Sequence, residues 1–111
     1  ETRSRGGVMA ESLGIVVTTE KHLDHIVGLT KAARDAGKEV RVFFTAAAVK
    51  LCPDEKAQEL VTAGANVSLC EKTYVLFEQD KQHGKEINGM KFGSQDDNAE
   101  NIGLVDKYVV F

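Results

Sequence analysis

The chain has little of what several classes of protein require. Its 111 residues include no tryptophan, one proline and two cysteines, and its net charge is −3. No apolar run approaches the roughly 20 residues that span a bilayer, and no charged-then-apolar signal pattern opens the chain. We therefore expect a cytoplasmic protein with no membrane partner. The slightly acidic balance gives no electrostatic reason to expect a nucleic-acid partner.

The familiar nucleotide, phosphate and redox motifs are also missing. No GxGxxG follows the first predicted strand, and no GxxxxGK is followed by Ser or Thr, so neither a dinucleotide fingerprint nor a phosphate loop is present. No CxxC occurs, which argues against a thioredoxin-like motif. The residues after Cys70 do not form a phosphate loop that closes on an arginine, so a cysteine phosphatase is not expected. The sequence predicts no organic cofactor.

The chain does contain alternating strand-like and helix-like segments. A hydrophobic content of 42% is ordinary for a soluble globular protein, and 111 residues are enough for one compact domain. Residues 1–8 are polar and Gly-rich and predict a flexible N-terminal arm, a remnant of cloning if the natural chain starts at Met9. The α/β domain then spans 9–111. Predicted strands cover 14–19, 39–45, 66–70 and 107–111. Predicted helices cover 20–37, 46–51, 53–63 and 71–84, with a shorter one within 94–105.

This alternation predicts the fold class. Continuous apolar strands joined by helices are typical of a mostly parallel sheet that is buried on both faces. We expect a single-domain α/β three-layer sandwich with about four to five strands and helices on both faces. Between the predicted helix 71–84 and the shorter one we expect a polar connection that contains the turn signal Asn88-Gly89.

The candidate site lies at the carboxyl ends of the strands, where open parallel sheets bind ligands. By this reading Thr18, Thr19 and Thr45 line a pocket beside Cys70, which ends the third strand. A cysteine at the start of a helix meets backbone N–H groups that favour the thiolate. The cation of Lys72 would assist. The alternative is that Cys70 is a buried, inert core residue.

The remaining candidates are weaker. Cys52 could be a second, resolving thiol that faces Cys70, although a packed loop cysteine is the favoured interpretation. A structural disulfide between the two is not expected in a reducing cytoplasm. His22 and His25 are three residues apart, but two histidines near a helix start are more often solvated than bound to metal. We therefore predict no metal site.

The order of segments resembles the DsrE/DsrF-like family, small α/β proteins of bacterial and archaeal sulfur relay. The similar features are the opening strand "GIVVTT", the stretch "AGKEVRVFFT", the cysteine that ends the third strand and the closing "DKYVVF". The resemblance covers roughly residues 13–111. It implies that Cys70 carries sulfane sulfur as a persulfide, taken from a donor protein and passed to an acceptor protein. It also implies a homotrimer or homohexamer.

Two functions from different classes follow. The first is a cytoplasmic DsrE-like sulfur carrier or sulfurtransferase that acts through Cys70 without a cofactor. The second is a non-catalytic, oligomeric module that binds a small ligand or a partner at the same crevice, with Cys70 inert. One departure from the family pattern favours the second function. Sulfur carriers of the family have small apolar residues after the cysteine and then a basic residue with glycine. In this chain the cysteine is followed by Glu71, Lys72, Thr73 and Tyr74.

Overall fold

A computed structural model describes residues 12–52, 54–77, 86–87, 89–93, 105 and 107–111. Its elements, in chain order, are β1 (Ser12–Val17), α1 (Leu23–Asp35), β2 (Glu39–Phe44), a 3₁₀ helix (Ala46–Leu51), α2 (Glu55–Thr62), β3 (Asn66–Cys70), α3 (Glu71–Phe77), β4 (Glu86–Ile87), β5 (Met90–Gly93) and β6 (Lys107–Val110). The predicted arm at 1–8, the predicted helix within 94–105 and the end of the predicted helix 71–84 lie outside the described residues. No helix of the described part is long and apolar enough to cross a membrane.

The strands form one six-stranded sheet in the order β4-β5-β3-β2-β1-β6. The five strands β5, β3, β2, β1 and β6 pair in parallel, and only the short edge strand β4 is antiparallel. The predicted class, a single-domain α/β fold with a mostly parallel sheet, is confirmed. Helical crossovers produce this arrangement because parallel neighbours cannot be joined by a tight turn.

The prediction of a polar connection after α3 was wrong in part. Residues 86–93 contain the hairpin β4-β5, and β5 adds to the sheet beside β3, with Leu69 paired to Phe92. Met90 is fully buried although it lies between Gly89 and Lys91 in the sequence. The turn signal itself was informative, because Gly89 has a φ of 85°, a left-handed backbone that glycine adopts without steric cost.

The main core lies between one face of the sheet and the helices. Alternate residues of β1, β2 and β3 point to this face, and α1 presents one buried stripe to them, which is the spacing that its sequence predicts. The core cluster contains Ile15, Val17, Ile26, Val27, Ala33, Val40, Val42, Phe44, Ala48, Val49, Cys52, Ala57, Leu60, Ala65, Val67, Leu69, Tyr74 and Met90. On the opposite face Val16 and Phe43 are buried outside this cluster.

The beginning of α1 differs from the prediction. The predicted helix 20–37 would place Thr19 at its N-cap, but α1 starts at Leu23 with His22 in the N-cap position and no side-chain cap bond. The Thr19 hydroxyl instead accepts a long hydrogen bond from the Lys21 N–H (3.5 Å). A turn at residues 18–22 therefore separates the end of β1 from the helix.

Candidate functional site at the carboxyl edge of the sheet

The register of the central strands brings three predicted site residues into one row. Val17 pairs with Phe44, and Phe44 pairs with Leu69. The next residue of each strand is therefore Thr18, Thr45 or Cys70, all at the carboxyl edge. Neighbouring strands are about 4.8 Å apart. Thr45 thus lies beside Cys70, and Thr18 lies one strand further away.

Cys70 ends β3, and α3 begins at the next residue. Alternation along the strand turns its side chain away from the face that Leu69 covers, and Cys70 is not part of the main core cluster. The residue is only 5% exposed. The thiol is therefore shielded from bulk water while lying at the edge where parallel sheets place their chemistry.

The environment of Cys70 favours its thiolate. Burial by itself raises the pKa of this thiol, since it penalises the charged form. Hydrogen bonds act in the other direction: the sulfur accepts from the hydroxyl and the main-chain N–H of Thr73, from the hydroxyl of Thr45 and from the main-chain N–H of Lys72. Together these donors outweigh burial, and the pKa of Cys70 lies below its ordinary value.

Thr73 has a double role that the sequence did not reveal. Its hydroxyl donates to the Cys70 carbonyl oxygen (3.3 Å) and is also within reach of the Cys70 sulfur. A hydroxyl has one proton, so it can serve only one of these acceptors at a time. Ionisation of the sulfur would favour rotation of the proton towards it. A threonine three residues after a strand-ending cysteine, in the first turn of a helix, is the signal that could have identified it.

Thr45 was predicted to line the pocket, and the predicted helix 46–51 would place it at the N-cap of that helix. It does occupy the N-cap position of the 3₁₀ helix, but its side chain makes no cap hydrogen bond, and its hydroxyl instead bonds the Cys70 sulfur. The next residue, Ala46, has a φ of 54°, a left-handed backbone that costs a non-glycine residue about 1–2 kcal/mol. This turn carries the chain out of β2 beside Cys70, and such strain is often found at functional sites.

Lys72 and Glu71 are both exposed. Lys72 acts on the Cys70 sulfur through its main-chain N–H, which is fixed by the first turn of α3. Neither the Lys72 ammonium group nor the Glu71 carboxylate is among the largest causes of the shift in the Cys70 pKa. The lowering comes mainly from hydroxyls and main-chain N–H groups rather than from the Lys72 charge that the sequence analysis invoked.

Cys52 lies in a very different environment. It is fully buried within the main core cluster, and burial raises the pKa of its thiol to about 12. Its N–H donates to the Val49 carbonyl at the end of the 3₁₀ helix (3.2 Å). These features match the favoured interpretation, a packed cysteine that is protonated at neutral pH. Neither Cys52 nor Cys70 forms a disulfide bond with another described residue.

Thr18 forms hydrogen bonds with Phe111, and among the described residues it forms none with Cys70. Its hydroxyl and its N–H both lie 2.7 Å from the Phe111 carbonyl oxygen, to which they donate, so this side chain ties β1 to the residue that follows β6. His22 and His25 are exposed and pack their rings near Phe111, at centroid distances of 5.8 and 5.3 Å. Among the described residues there is no group of three or more His, Cys, Asp or Glu side chains that could hold a metal ion.

The site thus consists of one thiol and the hydrogen-bond donors around it. A thiolate held in this way can attack an electrophilic sulfur, and the same donors can stabilise the anion that forms. A scan against protein-family models finds no matching family, and a search of curated proteins finds no similar protein.

Proposed function

We propose that this protein is a cytoplasmic, DsrE-like sulfur carrier that holds sulfane sulfur as a persulfide on Cys70. The observation that carries the proposal is the set of donors around the Cys70 sulfur, which lowers its pKa although the residue is 95% shielded from water. Burial alone would give an inert thiol. The donors of Thr45, Lys72 and Thr73 make this thiol a better nucleophile at neutral pH than its burial would predict.

The transfer step is a displacement at sulfur. The Cys70 thiolate attacks the outer sulfur of a donor persulfide, R–S–SH, and forms a new S–S bond. The original S–S bond of the donor breaks, and its electron pair leaves with R–S⁻. Cys70 then carries one additional sulfur atom, and the proton of the donor passes to R–S⁻ or to solvent. Attack by an acceptor thiolate on the outer sulfur reverses the process and frees Cys70.

The described geometry suits this small cargo. The persulfide of Cys70 would place its outer sulfur one S–S bond, about 2 Å, beyond the present sulfur. Thr45 and Thr73 lie beside the sulfur and could donate to the perthiolate, and no metal or organic cofactor is needed. The donor and the acceptor would be proteins, and the carrier itself would be a homotrimer or homohexamer, as in the family that it resembles.

Intact-mass spectrometry tests the proposal. The wild type is incubated with glutathione persulfide as the sulfane-sulfur donor and compared with Cys70→Ser and with Cys52→Ser. We expect a gain of one sulfur atom in the wild type and in Cys52→Ser, and no gain in Cys70→Ser. An adduct that persists in Cys70→Ser would refute the assignment, and so would a wild type that stays unmodified while correctly folded.

The alternative is a binding module in which Cys70 is inert, and the 5% exposure of Cys70 is the observation that favours it. A thiol that reacts with iodoacetamide only after unfolding would support this function. Under it, Cys70→Ser would leave the affinity for the ligand or partner unchanged. Rapid alkylation of the native protein would instead support the sulfur carrier.

A further inference from the structure

A second feature concerns the edge strand β6 and is independent of Cys70. Tyr108, Val109 and Val110 are 52%, 37% and 60% exposed, and they are the exposed large hydrophobic residues of the described chain. All three are consecutive residues of one strand. β6 pairs with β1 on one side, and no other described strand lies on its outer side. An apolar edge of this kind is a template for another strand.

The direction of the backbone N–H and C=O groups shows which residues of β6 can bond to a further strand at the open edge. The Phe111 N–H donates to the Val16 carbonyl (2.8 Å), so the polar backbone groups of Phe111 face β1. Because N–H and C=O groups alternate sides along a strand, those of Val109 also face β1. The groups of Tyr108 and Val110 face the open edge instead. These two residues can therefore exchange hydrogen bonds with a new strand.

We propose that this edge binds the β6 edge of a second copy of this chain, in antiparallel orientation about a two-fold axis at Val109. Of the two assemblies proposed above, only the homohexamer can contain such an axis. Tyr108 of each copy then lies opposite Val110 of the other copy, and this pair exchanges both of its N–H···O=C bonds. Val109 lies opposite Val109 of the second copy as a non-hydrogen-bonded pair. The two sheets would continue into each other across the axis.

The sequence of β6 is complementary to itself in this register. Tyr108 meets Val110 on one face of the sheet, which is a favourable pairing of an aromatic with a β-branched residue. Val109 meets itself on the other face. Lys107 lies opposite Phe111 rather than Lys107 of the second copy, so no like charges are opposed. A pairing that uses the same surface on both copies closes after two, which prevents the edge from propagating into a fibre.

Native mass measurement tests the interface. Light scattering after size-exclusion chromatography is carried out on the full chain at several concentrations, for the wild type, Val110→Lys and Val110→Thr. We expect Val110→Lys to halve the mass, because it places a charge against Tyr108, and Val110→Thr to keep the mass of the wild type. A monomeric wild type would overturn the proposal, and so would an assembly that Val110→Lys leaves intact.

Cross-linking tests the register. In the Cys70→Ser background, Val109→Cys should form a disulfide-linked dimer on mild oxidation, because Cα atoms of a non-hydrogen-bonded pair are about 4.5 Å apart. Tyr108→Cys is the matched control, since it faces Val110, and we expect it to remain uncross-linked. Equal cross-linking of both variants, or none in a folded Val109→Cys, would overturn the register. A Val109→Cys thiol that also resists alkylation would show that another segment covers the edge, which overturns the interface as well.

Discussion

The hydroxyl of Thr30 is buried beside the main core without a hydrogen-bond partner in the described part of the chain, and its replacement gives a sharp test of the packing. The residue is fully buried on the inner face of α1, among Ile26, Val27 and Ala33. Its Oγ1 has no hydrogen-bond partner among the described residues. Valine has the same shape and the same β-branching, so Thr30→Val removes the hydroxyl without changing the volume or the helix propensity appreciably.

The expected gain follows from the cost of burying a polar group. Mutational data give about 1–3 kcal/mol for a buried hydroxyl without a partner, and removal of such a group can be stabilising. Taking the lower end, we expect Thr30→Val to raise the free energy of unfolding by about 1 kcal/mol. For a domain of this size that corresponds to an increase in Tm of roughly 4 °C.

Urea unfolding followed by circular dichroism measures the effect. The matched control is Thr62→Val, which makes the same substitution on α2 at an exposed position where the hydroxyl donates to the Gln58 carbonyl (3.2 Å). We expect this control to change stability by less than about 0.5 kcal/mol. If Thr30→Val is neutral or destabilising, the Thr30 hydroxyl has a partner in solution and the reasoning is refuted.

The remaining predictions concern the two cysteines and the turn after β2. The rate of Cys70 alkylation should rise with pH around a midpoint below that of an ordinary thiol. The reason is that burial, which raises the pKa of Cys70, is outweighed by hydrogen bonds to its sulfur. Thr45→Val should move this midpoint upwards, and Thr45→Ser should not. A midpoint unaffected by Thr45→Val would contradict the role of that hydroxyl. Because the folded-state pKa of Cys70 is lowered, its contribution to stability is present above the unfolded pKa and is lost as the pH falls through the folded pKa. The difference in unfolding free energy between wild type and Cys70→Ser should therefore grow with pH, and a flat difference would exclude the lowered pKa. Cys52, whose pKa is raised to about 12 by burial, should be alkylated only in urea; labelling of the native protein would contradict its burial. Ala46→Gly should be neutral or stabilising by up to about 1 kcal/mol, because glycine adopts the left-handed φ freely, whereas Ala47→Gly should cost about 0.5–1 kcal/mol in the same urea assay. Equal losses in both would mean that Ala46 is not strained.

The strands that could be predicted are those with continuous apolar runs. β1, β2 and β3 are buried in the sheet interior, so burial dictates their composition and the sequence identifies them. The hairpin β4-β5 was not predicted because its strands, of two and four residues, are too short to show a hydrophobic pattern. Only tertiary contact with β3 makes β5 a strand, since a two-stranded hairpin of this length is marginal alone.

The candidate site was predictable in position but not in mechanism. The cysteine at the end of β3 and the threonine at the end of β2 were identifiable because parallel strands bring their carboxyl ends to one edge. Main-chain N–H donors were expected from the position of Cys70 at a helix start, but the sequence did not show which of them reach the sulfur, and the Thr73 hydroxyl was missed. At Lys72, for example, the sequence analysis considered the charge of the side chain, whereas the main-chain N–H donates to the Cys70 sulfur.

The sequence by itself determined the alternation of strands and helices, and with it the parallel sheet and the edge at which Cys70 lies. These follow from local hydrophobic periodicity and from helical crossovers, which act over short stretches of chain. The tertiary structure decided the chemistry of the two thiols. Cys52 and Cys70 are the same residue type at the ends of neighbouring segments, yet the pKa of one is raised by burial and that of the other is lowered by hydrogen bonds. Which groups surround a sulfur atom depends on contacts between strands and helices that are distant in sequence, and only the folded chain brings them together.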